Sequence, residues 1–166
     1  MIARTASTTA FLLMALVTMA AADSSSQSMA QMKFMLGTWT CSVKAVDGST
    51  AQITSLTTLS SDGTHLLTKT TAGGEGTSEI WLDPNQKQWV QTASSSKGSS
   101  TQNSPGFNRA MIVWNGTVTA AGMPAMPYRT TMTKLSDTKT TQVDELGTPG
   151  GSSWLTADSA TCAKAH

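Results

Sequence analysis

Charge is scarce in this chain, and so are the residues that usually hold metals. Only 13 % of its 166 residues are Asp, Glu, Lys or Arg, and there are two histidines and two cysteines. Eleven basic residues face ten acidic ones, so there is no basic stripe to neutralise a phosphate backbone or an anionic bilayer, and nucleic acid is excluded as a partner. The two histidines are His65 and the last residue, His166, and no close His/Cys/Asp spacing announces a zinc site. A haem or metal site would have to use His65, for which an exposed strand-start histidine is the alternative. No Gly-x-Ser-x-Gly elbow is present, so the abundant serines identify no nucleophile and the chain reads as a non-enzyme without a cofactor.

Long apolar runs are missing too. The longest follows Arg4 and is built on Phe11-Leu12-Leu13-Met14-Ala15-Leu16-Val17, ending in Ala20-Ala21-Ala22 before Asp23. A basic start, an apolar middle and small residues at the junction make 1–22 a cleavable secretory signal, too short for a comfortable span. Residues 23–27 form a flexible start, and 28–166 form one domain, too small to divide in two. Cleavage removes Arg4 and leaves ten charges of each sign. The expected address is secreted or periplasmic, with no membrane span in the mature form, and no pattern specifies an oligomer. Export also permits Cys41 and Cys162 to pair.

What is plentiful is Thr and Ser, 28 and 21 residues, against five Trp, three Phe and one Tyr. Thr fits a pleated, half-buried surface better than a helix interior, so the excess argues for strands. One helix is expected over 28–36, where Met29, Met32, Met35 and Leu36 form a one-sided apolar stripe that Gly37 stops. The period then changes to two: Trp39, Cys41 and Val43 share one strand face, and Asp47-Gly48 is a hairpin signal. Further strands are expected over 50–59, 65–71, 77–82, 87–93, 109–114, 117–120, 128–135, 139–146 and 153–161, each bounded by turn chemistry. Asn115-Gly116 reads as a hairpin turn in preference to a glycosylation acceptor, and 94–103 as a loop or an edge strand. Residues 121–127 read as a loop because Pro124 and Pro127 resist central pairing. The fold class is all-β: a single antiparallel up-and-down β-barrel of about eight to ten strands with a short N-terminal helix.

The Leu36-Gly-Thr-Trp39 opening, Trp81-Leu-Asp-Pro84, Gln88-Trp89-Val90, Ser104-Pro-Gly-Phe107, Trp114-Asn-Gly116 and the ending Thr161-Cys-Ala-Lys164 resemble the lipocalin and calycin group of β-barrels. More closely they are similar to uncharacterised secreted bacterial lipocalin-like proteins of a domain-of-unknown-function family. The resemblance implies that Trp39 packs across the closed end of the barrel near the helix and that Cys41 meets Cys162. It implies no catalytic residue. Arg129 is the candidate for the basic residue that such barrels stack on the tryptophan.

Three side-chain groups carry the functional expectations. A tight turn at Gly73 to Gly76 would set Lys69 opposite Glu79 and Leu67 opposite Trp81, all on the Trp39 face. If that face is the barrel interior, Trp39, Lys69, Glu79 and Trp81 line a site for a small hydrophobic or amphipathic molecule. If it is not, Lys69 and Glu79 are a solvent-facing ion pair worth under about 1 kcal/mol. Second, Met29, Met32, Met35, Met123 and Met126 are soft thioethers of the kind that select Cu(I), although the same helical spacing suits an apolar cap. A barrel enzyme using Lys69, Glu79 or His65, and a filled structural barrel, complete the alternatives.

Overall fold

A computed structural model of the chain describes residues 28–120 and 122–165. The expected signal peptide 1–22, the flexible start 23–27 and His166 lie outside the described residues.

The apolar stripe becomes a 3₁₀ helix, Met29–Met35, instead of an α-helix. Its hydrogen bonds run from Gln31 N to the Ser28 carbonyl and from Leu36 N to the Lys33 carbonyl. Three residues per turn place Met29, Met32 and Met35 above one another, so a strict spacing of three favours this tighter winding. Gly37 then turns the chain at φ +105°, a conformation that disfavours side chains.

Eleven strands follow: β1 Gly37–Ala45, β2 Thr50–Leu59, β3 His65–Ala72, β4 Thr77–Asp83, β5 Gln88–Ser95, β6 Gly98–Ser104, β7 Phe107–Asn108, β8 Met111–Ala120, β9 Met126–Ser136, β10 Lys139–Gly147 and β11 Trp154–Lys164. Each strand pairs antiparallel with its sequence neighbour except at two seams. There β1 pairs with β11, and β6 pairs with β8, past the two-residue β7. The result is a closed ten-stranded antiparallel barrel with one extra strand.

Cys41 and Cys162 are direct partners across the β1–β11 seam, with Cα atoms 4.0 Å apart, and they form a disulfide. The alternation of β1 aims Trp39 and Cys41 to the same side, into the barrel. No helix among the described residues is long and apolar enough to cross a membrane.

Three expectations are corrected. Residues 94–103 are neither loop nor edge: a turn at Ser96 and Lys97 leads into β6, which closes the barrel against β8. Asn115-Gly116 is not a turn but the middle of β8, where Asn115 pairs with Asn103 on one side and Arg129 on the other. The glycine is there for space, because a Cβ at 116 would be driven into the Thr101 carbonyl oxygen. Finally, β9 begins at Met126 and takes in Pro127, opposite Thr117 at the strand's first turn of pairing.

Packing divides the interior lengthwise. Met32, Leu66, Ile80, Trp89, Ile112, Trp114 and Met132 form a buried cluster under the 3₁₀ helix, which plugs that end. Two side chains hydrogen-bond to carbonyls of the plug. The Trp39 indole donates to the Met35 carbonyl at 2.8 Å, and Lys164 Nζ donates to the Phe34 carbonyl at 2.9 Å. Lys164 also lies 5.5 Å from the Trp39 ring, so the basic partner expected of Arg129 is Lys164. Arg129 sits elsewhere, over Trp154 at 4.4 Å, with a two-pronged ion pair to Glu145.

Candidate functional site

The barrel interior is not filled. Beneath the plug lies a cavity of about 170 Å³, walled by Trp39, Ile80, Trp114, Met132 and the Cys41–Cys162 bridge. It shares Thr68, Ser78, Gln91, Thr130 and Gln142 with a second cavity of about 410 Å³ toward the opposite end. The first has an apolar floor. The second is walled by hydroxyl and amide groups, together with Tyr128 and the β5–β6 turn.

The polar wall follows from strand alternation. On β10, Thr140, Gln142 and Asp144 point inward while Val143 faces out, and each inward group sits two residues further from the plug than the last. Register places Asp144 beside Thr130 of β9 and directly opposite Asp158 of β11. The Thr130 hydroxyl donates to Asp144 Oδ1 in a short hydrogen bond, and Gln142 Nε2 donates to Oδ2 at 2.7 Å. Gln102 Nε2 in turn donates to Thr130 at 3.2 Å. Asp144 and Gln102 are 5 % and 1 % exposed, so this network is interior.

Two carboxyls facing each other inside a barrel cannot both ionise freely. Burial, then the charge of Asp144 and a hydrogen bond to it, push the Asp158 carboxyl up to about 6. Burial first, and then the Asp144 charge, also push the Tyr128 hydroxyl upward. Among the residues lining both cavities the one cation is Lys97, on the exposed β5–β6 turn. Neither carboxyl lines either cavity; Asp144 stands behind the wall and holds its residues Thr130 and Gln142.

Of the residues expected to line the site, Trp39 does so and Lys69, Glu79 and Trp81 do not. Those three share a face, but it is the outer one. The β2–β3 connection pairs Leu59 with Leu66, so β3 and β4 turn even-numbered residues inward (Leu66, Thr68, Ser78, Ile80) where β1 and β2 turn odd-numbered ones. A one-residue change of parity flips every side chain to the other side. The pairing also differs by one step: Lys69 faces Thr77, Leu67 faces Glu79 and His65 faces Trp81.

On that outer face His65 Nδ1 is bonded to Glu79 Oε1, and its ring stacks on Trp81 at 5.5 Å. Among the described residues no group of three His, Cys, Asp or Glu is placed to hold a metal ion. The methionines are split between the two ends. Met32 is fully buried, with Met29 and Met35 packed beside it, while Met123 lies half exposed in the β8–β9 loop and Met126 opens β9.

Asp144 and Asp158 were missed from the sequence. The signal was present in the alternation of 140–144, where polar residues take one face and Val143 the other, the reverse of a half-buried strand with an apolar inside. Neither a protein-family model nor a curated protein matches the chain.

Proposed function

We propose that the barrel is a binding module for a small amphipathic molecule, exported to a compartment where its disulfide persists. The ligand's apolar part occupies the cavity beside Trp39 and Trp114, and its polar part meets the amide and hydroxyl wall of Gln91, Thr130 and Gln142. The observation that carries this is an unfilled interior with an apolar floor and a polar upper wall, the division of labour of small-molecule sites. Size narrows the ligand. An apolar cavity of about 150 Å³ accommodates benzene, so about 170 Å³ takes one ring or a short branched chain and not a long acyl tail.

Two measurements test this. Native mass spectrometry of protein purified from its own host is expected to show a retained organic mass. Titration with 2-phenylethanol is expected to give a saturable change in tryptophan fluorescence that Ser78→Phe, placed to fill the cavity, removes. An unbound protein mass together with no saturable response at millimolar probe would overturn the proposal.

A further inference from the structure

Among the described residues two acidic side chains turn inward, Asp144 and Asp158, and the one cation lining either cavity is Lys97 on the exposed β5–β6 turn. Asp144 and Asp158 are cross-strand partners on the inner face, and the apolar Ala45 of β1 flanks Asp158 on its other side. The basic residues nearby in the fold do not face the pair: Lys44 of β1, opposite Ser159, alternates to the outer face from Ala45. Arg129 pairs with Glu145 on the outer face, Lys134 pairs with Asp137, and Lys164 caps the plug. Buried carboxylates without a counter-charge are costly, and what the protein does not supply a ligand can.

Polar groups with unspent hydrogen-bonding capacity line the cavities. Gln142 spends its Nε2 on Asp144, which leaves its Oε1 as an acceptor. Thr140 is 6 % exposed and lines the smaller cavity, yet its hydroxyl has no hydrogen-bond partner among the described residues. Gln91, which lines both cavities, likewise makes no side-chain hydrogen bond among the described residues. Gln142 Oε1 can only accept, and the Thr140 hydroxyl and Gln91 amide can accept as well as donate, so an ammonium's N–H groups find partners here.

We infer that the ligand is a small primary amine, an ammonium group on a body of about one ring, and that carboxylates are rejected. The inference rests on the binding-module proposal above and specifies the ligand's chemistry. The ammonium sits at the Gln142 and Thr130 wall, in front of Asp144, to which both side chains are hydrogen-bonded, and there it offsets the acidic pair, while the ring lies against Trp39 and Trp114. A carboxylate in the same pose would meet like charge, and electrostatic complementarity of this kind sets specificity. Tyr128 of β9 is the other titratable group facing the pair, and it stays neutral throughout the range tested.

Three probes of nearly equal shape decide the matter: 2-phenylethylamine, 2-phenylethanol and phenylacetate, titrated at fixed ionic strength by calorimetry and tryptophan fluorescence. At pH 8 the amine is expected to bind about tenfold or more tighter than phenylacetate, and tighter than the alcohol. At pH 5, where the pair holds a proton, that advantage shrinks. Asp158→Asn should erase the amine's advantage while leaving alcohol binding in place, and Asp144→Asn, which also alters the Thr130 and Gln142 wall, should erase that advantage whatever it does to the alcohol. If the alcohol binds and the amine has no advantage, or if both Asn variants keep the ranking, the inference fails and the binding proposal stands. Should none of the three bind, both fail together.

Discussion

Acidification from pH 7 to pH 5 is expected to stabilise this protein, and Asp158 is the reason. In the folded barrel its carboxyl titrates at about 6, against an ordinary 3.8, because burial and the facing Asp144 disfavour its charge. Between those two values the folded state holds a proton that the unfolded chain has released. Stability therefore falls as pH rises through this window, since it rises with pH only where the unfolded state binds more protons. Going from pH 7 to pH 5 crosses about one pK unit of that window, which at 1.36 kcal/mol per unit sets an upper bound of about 1.4 kcal/mol. Asp158 is only half-buried, so solvent screening reduces this to about 0.5–1 kcal/mol. The expected change in urea midpoint is roughly 0.3–0.5 M at an ordinary m-value. Four other carboxyls act in the opposite sense. Hydrogen bonds from Ser60 and Thr64 hold Asp62 at about 2, and Asp47, Asp137 and Glu145 are lowered by Ser49, Lys134 and Arg129 respectively. Their contributions are lost only as pH falls below about 4, which places the stability maximum between about pH 4 and 5. The assay is urea unfolding by tryptophan fluorescence at pH 7 and pH 5, for the native chain and for Asp158→Asn. The amide mimics the protonated acid, so the variant should be the more stable at pH 7 and lose most of the pH dependence. A native chain that loses stability on going to pH 5, or a variant with an undiminished slope, would refute the reasoning.

Three further expectations concern the barrel itself. Replacing both Cys41 and Cys162 by Ala removes a bridge closing a loop of 121 residues, which costs on the order of 4 kcal/mol in the chain-entropy picture and is read as a lower thermal midpoint. A loss under about 1 kcal/mol would mean that the seam needs no covalent tie. Gly116→Val forces a side chain into the Thr101 carbonyl at the β6–β8 seam, and amide exchange should then show these two strands losing protection before β1 and β11; uniform protection would contradict this. Lys164→Met removes the bond to the Phe34 carbonyl and should cost about 1–3 kcal/mol while speeding amide exchange in Met29–Met35. Unchanged exchange there would show that the Lys164 bond does not hold the plug.

Much of the fold was legible because its local rules agree. Trp39 and Cys41 two residues apart, Asp47-Gly48 after them and Ser61-Asp62-Gly63 after the next strand each predict strand and turn on their own, and all three were found as expected. Gly116 was misread because its chemistry is the same whether glycine serves a turn or a close approach of two backbones. Only the presence of β6 alongside distinguishes them. The site was less legible. Lys69, Glu79 and Trp81 depended on counting parity through the connection at 60–65, where an odd or even loop exchanges inside for outside.

By itself the sequence determined the class: strands from its threonines and alternation, one short apolar helix from its methionine spacing, and a tie from its two cysteines. Those are properties of neighbours along the chain, fixed by backbone and side-chain sterics over a few residues. Tertiary structure decided which face became the interior, that β6 closes on β8, and that Asp144 meets Asp158 across β10 and β11. A carboxyl's environment is made by residues brought in from other strands. Asp158 acquires its raised pKa from burial and from a partner fourteen positions away, and neither exists until the barrel closes.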